Sequence, residues 1–251
     1  MKVFPATFRD LPNYSMTKKN LAAFTLIEML VVIAIIATIA AFALPAITGA
    51  MTRGQLAQAV SNARQVHLAT FAMTTDGTQT GDAKYAWPGD LAANKTDPTV
   101  TITTVTDFVT RLVDNDYLKS GDLKVFATSG ITPWNGVYTK PTDATSKGSF
   151  NPAFDGDKNC AFKIYLVTEK DSGNAIFIAT KNFKDTGNSN TAIDATASPF
   201  GDKGFVIFHK GGDGTFYKKQ QAGSMQLLGT LPGSDGSTQT PETPAAYLQQ
   251  K

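Results

Sequence analysis

Residues Ala23 to Ile47 read AFTLIEMLVVIAIIATIAAFALPAI, and from Phe24 onward the run holds a single ionisable side chain, Glu28. Everything else in it is Ile, Ala, Leu, Val, Phe or Met, apart from two Thr and Pro45. At about 1.5 Å per helical residue the segment reaches about 36 Å, enough to cross a hydrocarbon core of about 30 Å. Lys18 and Lys19 precede it, and only Arg53 follows closely. The positive-inside bias then puts the N-terminus in the cytoplasm and the chain beyond residue 50 outside.

Glu28 discriminates between readings of this run. A secretory signal would use Lys18 and Lys19 as its basic region and Ala41-Phe42-Ala43 as its cleavage site. A plain signal anchor needs only the apolar run. Neither explains the carboxylate, which costs about 2.5–3.5 kcal/mol at bilayer depth on insertion scales. Intramembrane carboxylates usually have a partner.

Lys18-Lys19-Asn20-Leu21-Ala22-Ala23 followed by Phe24-Thr25-Leu26-Ile27-Glu28 resembles the processing site of type IV prepilins and type II secretion pseudopilins. In that family a short basic leader is removed before a phenylalanine, whose new amine is methylated. The resemblance implies cleavage between Ala23 and Phe24 and N-methylation at Phe24. It also implies assembly roles for Glu28, four residues on, and for the helix-bending Pro45, twenty-one residues on. Ala23 stands where the family nearly always has glycine; a small residue still fits, and processing is expected. A start at Met16 would make the leader MTKKNLAA, short and basic as is typical. Cleavage would expose a charged amine at Phe24. In a bundle of such helices it can meet Glu28 of a neighbour, a pair that is strong in low dielectric and fixes register.

Past Pro45 the apolar pattern becomes one-sided. Leu56, Ala59, Val60, Ala63, Val66, His67, Thr70 and Phe71 recur at three- and four-residue spacing, with Gln55, Gln58, Asn62 and Arg64 between them. This predicts an amphipathic helix over 48–75, ending near Thr74 ahead of Asp76-Gly77, with His67 in a packing or surface role. Pro45 removes a backbone donor and is expected to bend or loosen the rod. Residues 76–103 read as an ordered loop, and a short helix is predicted from Thr106 to Leu118. Strands are predicted at Leu123–Thr128, Cys160–Glu169, Ala175–Asn182, Gly204–Lys210, Thr215–Gln220 and Ser224–Leu228. Lys170–Asn174 and Lys210–Gly214 read as turns between them. From Thr230 the chain is Gly, Ser, Thr, Pro and Gln without periodicity and is expected to be a flexible tail. The class is α+β: a long N-terminal helix whose second half covers an antiparallel sheet. That layout agrees with the type IV pilin-like fold the resemblance implies. The domain order follows as leader 1–23, membrane and polymerisation helix 24–47, amphipathic helix 48–75, periplasmic globular domain 76–229 and tail 230–251.

Catalytic chemistry finds little support. With 23 basic and 21 acidic residues there is no nucleic-acid surface to expect. Asp155-Gly-Asp157-Lys-Asn159 begins like a calcium loop, but Cys160 replaces the required glycine and Leu166 the closing glutamate. Asp202 or Asp213 would have to add a ligand from a neighbouring turn; the simpler reading is that Asp, Asn and Gly populate turns. His67 and His209 fall in different elements, and phosphate-binding and nucleophile-elbow motifs are absent. No catalytic residue, cofactor or metal site is expected. Type IVa pilins usually close their C-terminal region with a disulfide, which one cysteine cannot form, so the resemblance points to a type II secretion pseudopilin. Its implied partners are like subunits and other pseudopilins, the prepilin peptidase and methyltransferase, an inner-membrane assembly platform and membrane lipid. The alternatives are a type IV pilin or minor pilin, serving adhesion, motility or DNA uptake, and a membrane-anchored extracytoplasmic binding domain that never polymerises.

Overall fold

A computed structural model describes residues 25–94, 100–143, 146–184, 193–218, 230–232, 238–239 and 247–250. The chain divides into two compact units, Met1–Thr48 and Gly49–Lys251. Helix α1, Leu26–Thr80, contributes to both and is continuous through Pro45. In the first unit it is all that is described apart from Thr25, and Val31-Val32-Ile33 and Ile35-Ile36 in it are β-branched, weak helix formers in water. In hydrocarbon the preference is different, because a segment whose backbone groups find no water must bond them internally.

In the second unit α1 buries Leu56, Ala59, Asn62, Ala63, Val66, His67, Ala69, Thr70, Met73, Thr74 and Gly77. That three–four spacing is the stripe expected of a helix lying on a core. The helix runs on past Asp76-Gly77, where the sequence suggested a stop. Gly77 is there for close approach: a Cβ on it would lie 1.8 Å from the carbonyl oxygen of Tyr85. The stop is Gly81, whose φ of +70° suits a C-terminal glycine and whose N–H reaches Gly77 O at 2.8 Å. The expected loop 76–103 therefore begins later and contains a short helix, α2 (Pro88–Ala93), with Pro88 in its first turn.

Helix α3 spans Val105–Asp114 and opens with a capping box: Thr104 caps the Asp107 N–H while the Asp107 carboxylate returns to the Thr104 N–H. It buries Val105, Phe108, Val109, Leu112 and Val113 and ends four residues before the predicted limit. Leu123–Thr128, predicted as a strand, lies mostly in a 3-10 helix, Ser120–Phe126. Leu123, Val125 and Phe126 are buried there. The apolar spacing Leu123/Val125 suits a strand and Leu123/Phe126 a three-residue turn, so the pattern alone does not choose.

The main sheet comprises β3 (Phe162–Ile164), β4 (Ile176–Thr180), β5 (Phe205–His209) and β6 (Gly214–Tyr217), in that spatial order and antiparallel throughout. Four of the six strand predictions thus fall on its strands, though each strand is shorter than predicted; Ser224–Leu228 lies outside the described residues. The Lys210–Gly214 turn joins β5 to β6, closed by His209 N–H to Asp213 O at 2.8 Å. Strands β4 and β5 are buried along their whole length. Phe177, Val206 and Phe208 pack with the α1 stripe and α3, whereas Ile176, Ala179, Phe205 and Ile207 form a second cluster with Tyr165, Phe183, Ile193 and Leu231. Two smaller pairs complete the described part, β1 (Val137–Thr139) with β2 (Ser149–Asn151) and β7 (Leu231–Pro232) with β8 (Thr238–Gln239).

The predicted flexible tail is corrected where it is described. Thr230 bridges Ala175, and Leu231 and Leu248 are both buried. Single apolar residues in a polar run leave no periodic signature, so their anchoring was not readable.

Candidate functional site at the start of the helix

Thr25 precedes the first turn of α1, and Glu28 is the third residue inside it. The Thr25 N–H and hydroxyl each donate to Glu28 Oε2 at 2.8 Å, and the Glu28 N–H donates to Thr25 Oγ1 at 3.2 Å. This is a capping box, in which two backbone donors at the helix start are satisfied reciprocally. The Thr-x-x-Glu spacing is visible in the sequence and carries the signal. A negative charge here also faces the positive end of the helix dipole. Glu28 thus has a role within its own chain, beside any role between chains.

Beyond it, every side chain from Leu26 to Thr48 is exposed except Ala43. Leu26 is 83% and Phe42 82% exposed. The helix carries an 18-residue window of mean hydropathy 2.8, long and apolar enough to cross a membrane. Its polar groups turn inward on the backbone: Thr38 Oγ1 donates to Ile35 O at 2.8 Å, and Thr48 Oγ1 donates to Pro45 O at 3.0 Å. What remains outward is apolar surface with Glu28 near one end. Ala23 and Phe24 lie outside the described residues.

The other candidates are explained by local structure. Asp155 caps a four-residue helix, α4 (Gly156–Asn159), accepting from Asp157 N–H at 2.9 Å, and its other oxygen meets Lys158 Nζ at 3.1 Å. Asn159 donates to Thr132 O. Asp213 pairs with His209 Nδ1 at 2.7 Å. Among the described residues no group of three or more His, Cys, Asp or Glu is placed to hold a metal ion. His67, from α1, does meet the hairpin that carries His209: its Nε2 donates to Lys210 O at 2.7 Å. The ring is 6% exposed and stands among Phe71, Trp87, Phe177 and Phe208. Burial, reinforced by Arg64, pushes its pKa below the ordinary 6.5. Cys160 is fully buried, which raises its thiol to about 11. A thiol so protonated is a packing group.

The prokaryotic N-terminal methylation motif matches residues 18–44. The type IV major fimbrial protein FimA of Dichelobacter nodosus is 25% identical over 146 residues, covering 58% of this chain and 78% of that protein. No solved structure matches significantly. The long N-terminal helix and the antiparallel sheet make a type IV pilin-like α+β fold, and the motif and the fimbrial relative support the type IV prepilin and pseudopilin family. The proteins it resembles are structural subunits.

Proposed function

We propose that the chain is a filament subunit processed between Ala23 and Phe24, methylated at Phe24, and assembled through residues 24–47. The observation that carries this reading is an apolar helix whose side chains are exposed among the described residues, with one carboxylate near its start. Held singly in the inner membrane, such a surface is covered by lipid, with the folded domain in the periplasm; in a filament it is covered by copies of itself. The amine of Phe24 in one copy meets Glu28 of the next, and Pro45 loosens the helix by leaving one carbonyl without its donor. Export through a type II secretion pseudopilus is the finer assignment, supported by a single buried cysteine where type IVa pilins close a disulfide. Prepilin peptidase, other pseudopilins and an assembly platform are then its partners. The likeness to a major fimbrial protein favours a second reading, a type IV pilus subunit.

Two substitutions at one position test the assembly role. Glu28→Leu removes charge and cap together, whereas Glu28→Gln keeps a side chain able to complete the capping box. Both variants should insert and be cleaved. Breaking a buried charge pair costs about 3–5 kcal/mol, so crosslinked multimers should collapse in both. Normal multimers in a fully processed Glu28→Gln protein would show that the cap, not the charge, is what assembly needs.

A further inference from the structure

Tyr247–Gln250 lies extended between two elements distant in sequence, the entry to α3 at Thr103–Val105 and the strand β3. On the β3 side, Tyr247 bridges Tyr165 in antiparallel fashion and Leu248 N–H donates to Ile164 O at 2.9 Å. On the α3 side, Gln249 N–H donates to Thr103 O at 3.1 Å, and its carbonyl accepts from Val105 N–H at 2.8 Å. The Leu248 side chain is 1% exposed and belongs to the main core cluster. Gln250 Nε2 reaches Phe162 O at 3.4 Å, and Lys163 Nζ stands 5.0 Å over the Tyr247 ring. β3 is the outer strand of its sheet, so the segment covers backbone groups that an open edge would expose. The floor is Gly156, where a Cβ would lie 1.8 Å from Gln250 O.

Backbone bonds along both sides and one pocket for an apolar side chain are how strand-addition sites hold peptides. We propose that the cleft bounded by Thr103–Val105, β3 and Gly156 is a recognition site for an extended peptide with a central leucine. Its occupant is this chain's own Tyr247–Gln250, and the cleft takes the same segment when it is supplied as a separate molecule. The closure is non-covalent and therefore reversible. It makes no use of Cys160, which is buried and unpaired. Nothing in this proposal depends on the filament reading.

The test uses the full-length chain in detergent and a labelled peptide of residues 245–251, AAYLQQK. Leu248→Asp weakens the resident segment and opens the cleft. Gln249→Pro does the same by deleting the N–H that bonds Thr103 O, with no charge placed in the core, and it carries the comparison if Leu248→Asp fails to fold. Fluorescence anisotropy should show the peptide binding either opened variant at least about tenfold more tightly than wild type, whose tethered segment competes at high effective concentration. Adding Gly156→Ala to an opened variant should abolish binding, as should aspartate in place of the peptide's leucine. The proposal is overturned if neither opened variant binds the peptide, or if binding is indifferent to Gly156→Ala or to the peptide's leucine.

Discussion

Residues 26–48 and 49–80 of α1 are one helix with two kinds of surface. In the first stretch the side chains, Glu28 and two threonines apart, are apolar on every side, and all but Ala43 are exposed. In the second, one stripe is buried and the polar residues Gln58, Arg64 and Thr75 lie outside it. A helix apolar all round asks for an apolar surrounding, and a helix apolar on one side asks for a core. The difference separates what the backbone geometry decides from what the surroundings decide, since only the second changes along α1.

Removing the same sort of apolar bulk from each half should have the most unequal effects. Met73→Ala leaves a hole in the core cluster and should lower domain stability by about 2–5 kcal/mol. Ile36→Ala, at a side chain 61% exposed, should leave the thermal melt of the domain where it was. Circular dichroism of both variants in detergent would check this, and equal melts would mean that the second half is not seated on its sheet.

Glycine gives a smaller contrast, with opposite signs inside the second unit. Gly77→Ala sets a methyl against the Tyr85 backbone, which cannot give way as a flexible side chain would, and should destabilise by about 1–3 kcal/mol. Gly54 has open space around its missing Cβ, and Gly54→Ala should stabilise by up to about 1 kcal/mol through helix propensity. Denaturant midpoints would read both. A stabilising Gly77→Ala would mean that the Tyr85 backbone does not press on α1 at Gly77.

Legibility followed the length scale of the signal. The apolar run, the α1 stripe and the β4 and β5 runs repeat over many residues, and the α+β class with its antiparallel sheet was readable from them. The Lys210–Gly214 turn was readable from its glycines. Gly77 and Gly81 were not distinguishable, because one serves close packing and the other a left-handed φ, and composition shows neither. The seating of Leu248 depends on Thr103 and Ile164, far away in the chain, and no local pattern announces it. At the candidate site the motif around Glu28 was legible, while its capping partner Thr25 stands inside an apolar run whose hydropathy masks a local cap.

The smallest effect concerns one proton and the stripe that the first half lacks. His67 sits in that stripe with its Nε2–H bound to Lys210 O, a tautomer that suits the neutral ring. Burial disfavours the imidazolium most, Arg64 adds to this, and the Lys210 carbonyl and Asp213 oppose it. The folded-state pKa therefore lies below the ordinary 6.5. As pH falls through about 6.5 the unfolded chain takes up this proton before the folded one does, so the unfolded state binds more protons and stability declines. The stabilisation is whole above 6.5, shrinks as pH drops, and is lost once pH passes below the folded pKa. His67→Gln keeps an N–H that can reach Lys210 O and cannot titrate. Thermal melts from pH 7.5 downward should therefore fall less steeply for His67→Gln than for wild type, with the His209–Asp213 pair left intact in both. Parallel curves would mean that His67 titrates alike folded and unfolded, and that the aromatic surroundings do not keep it neutral.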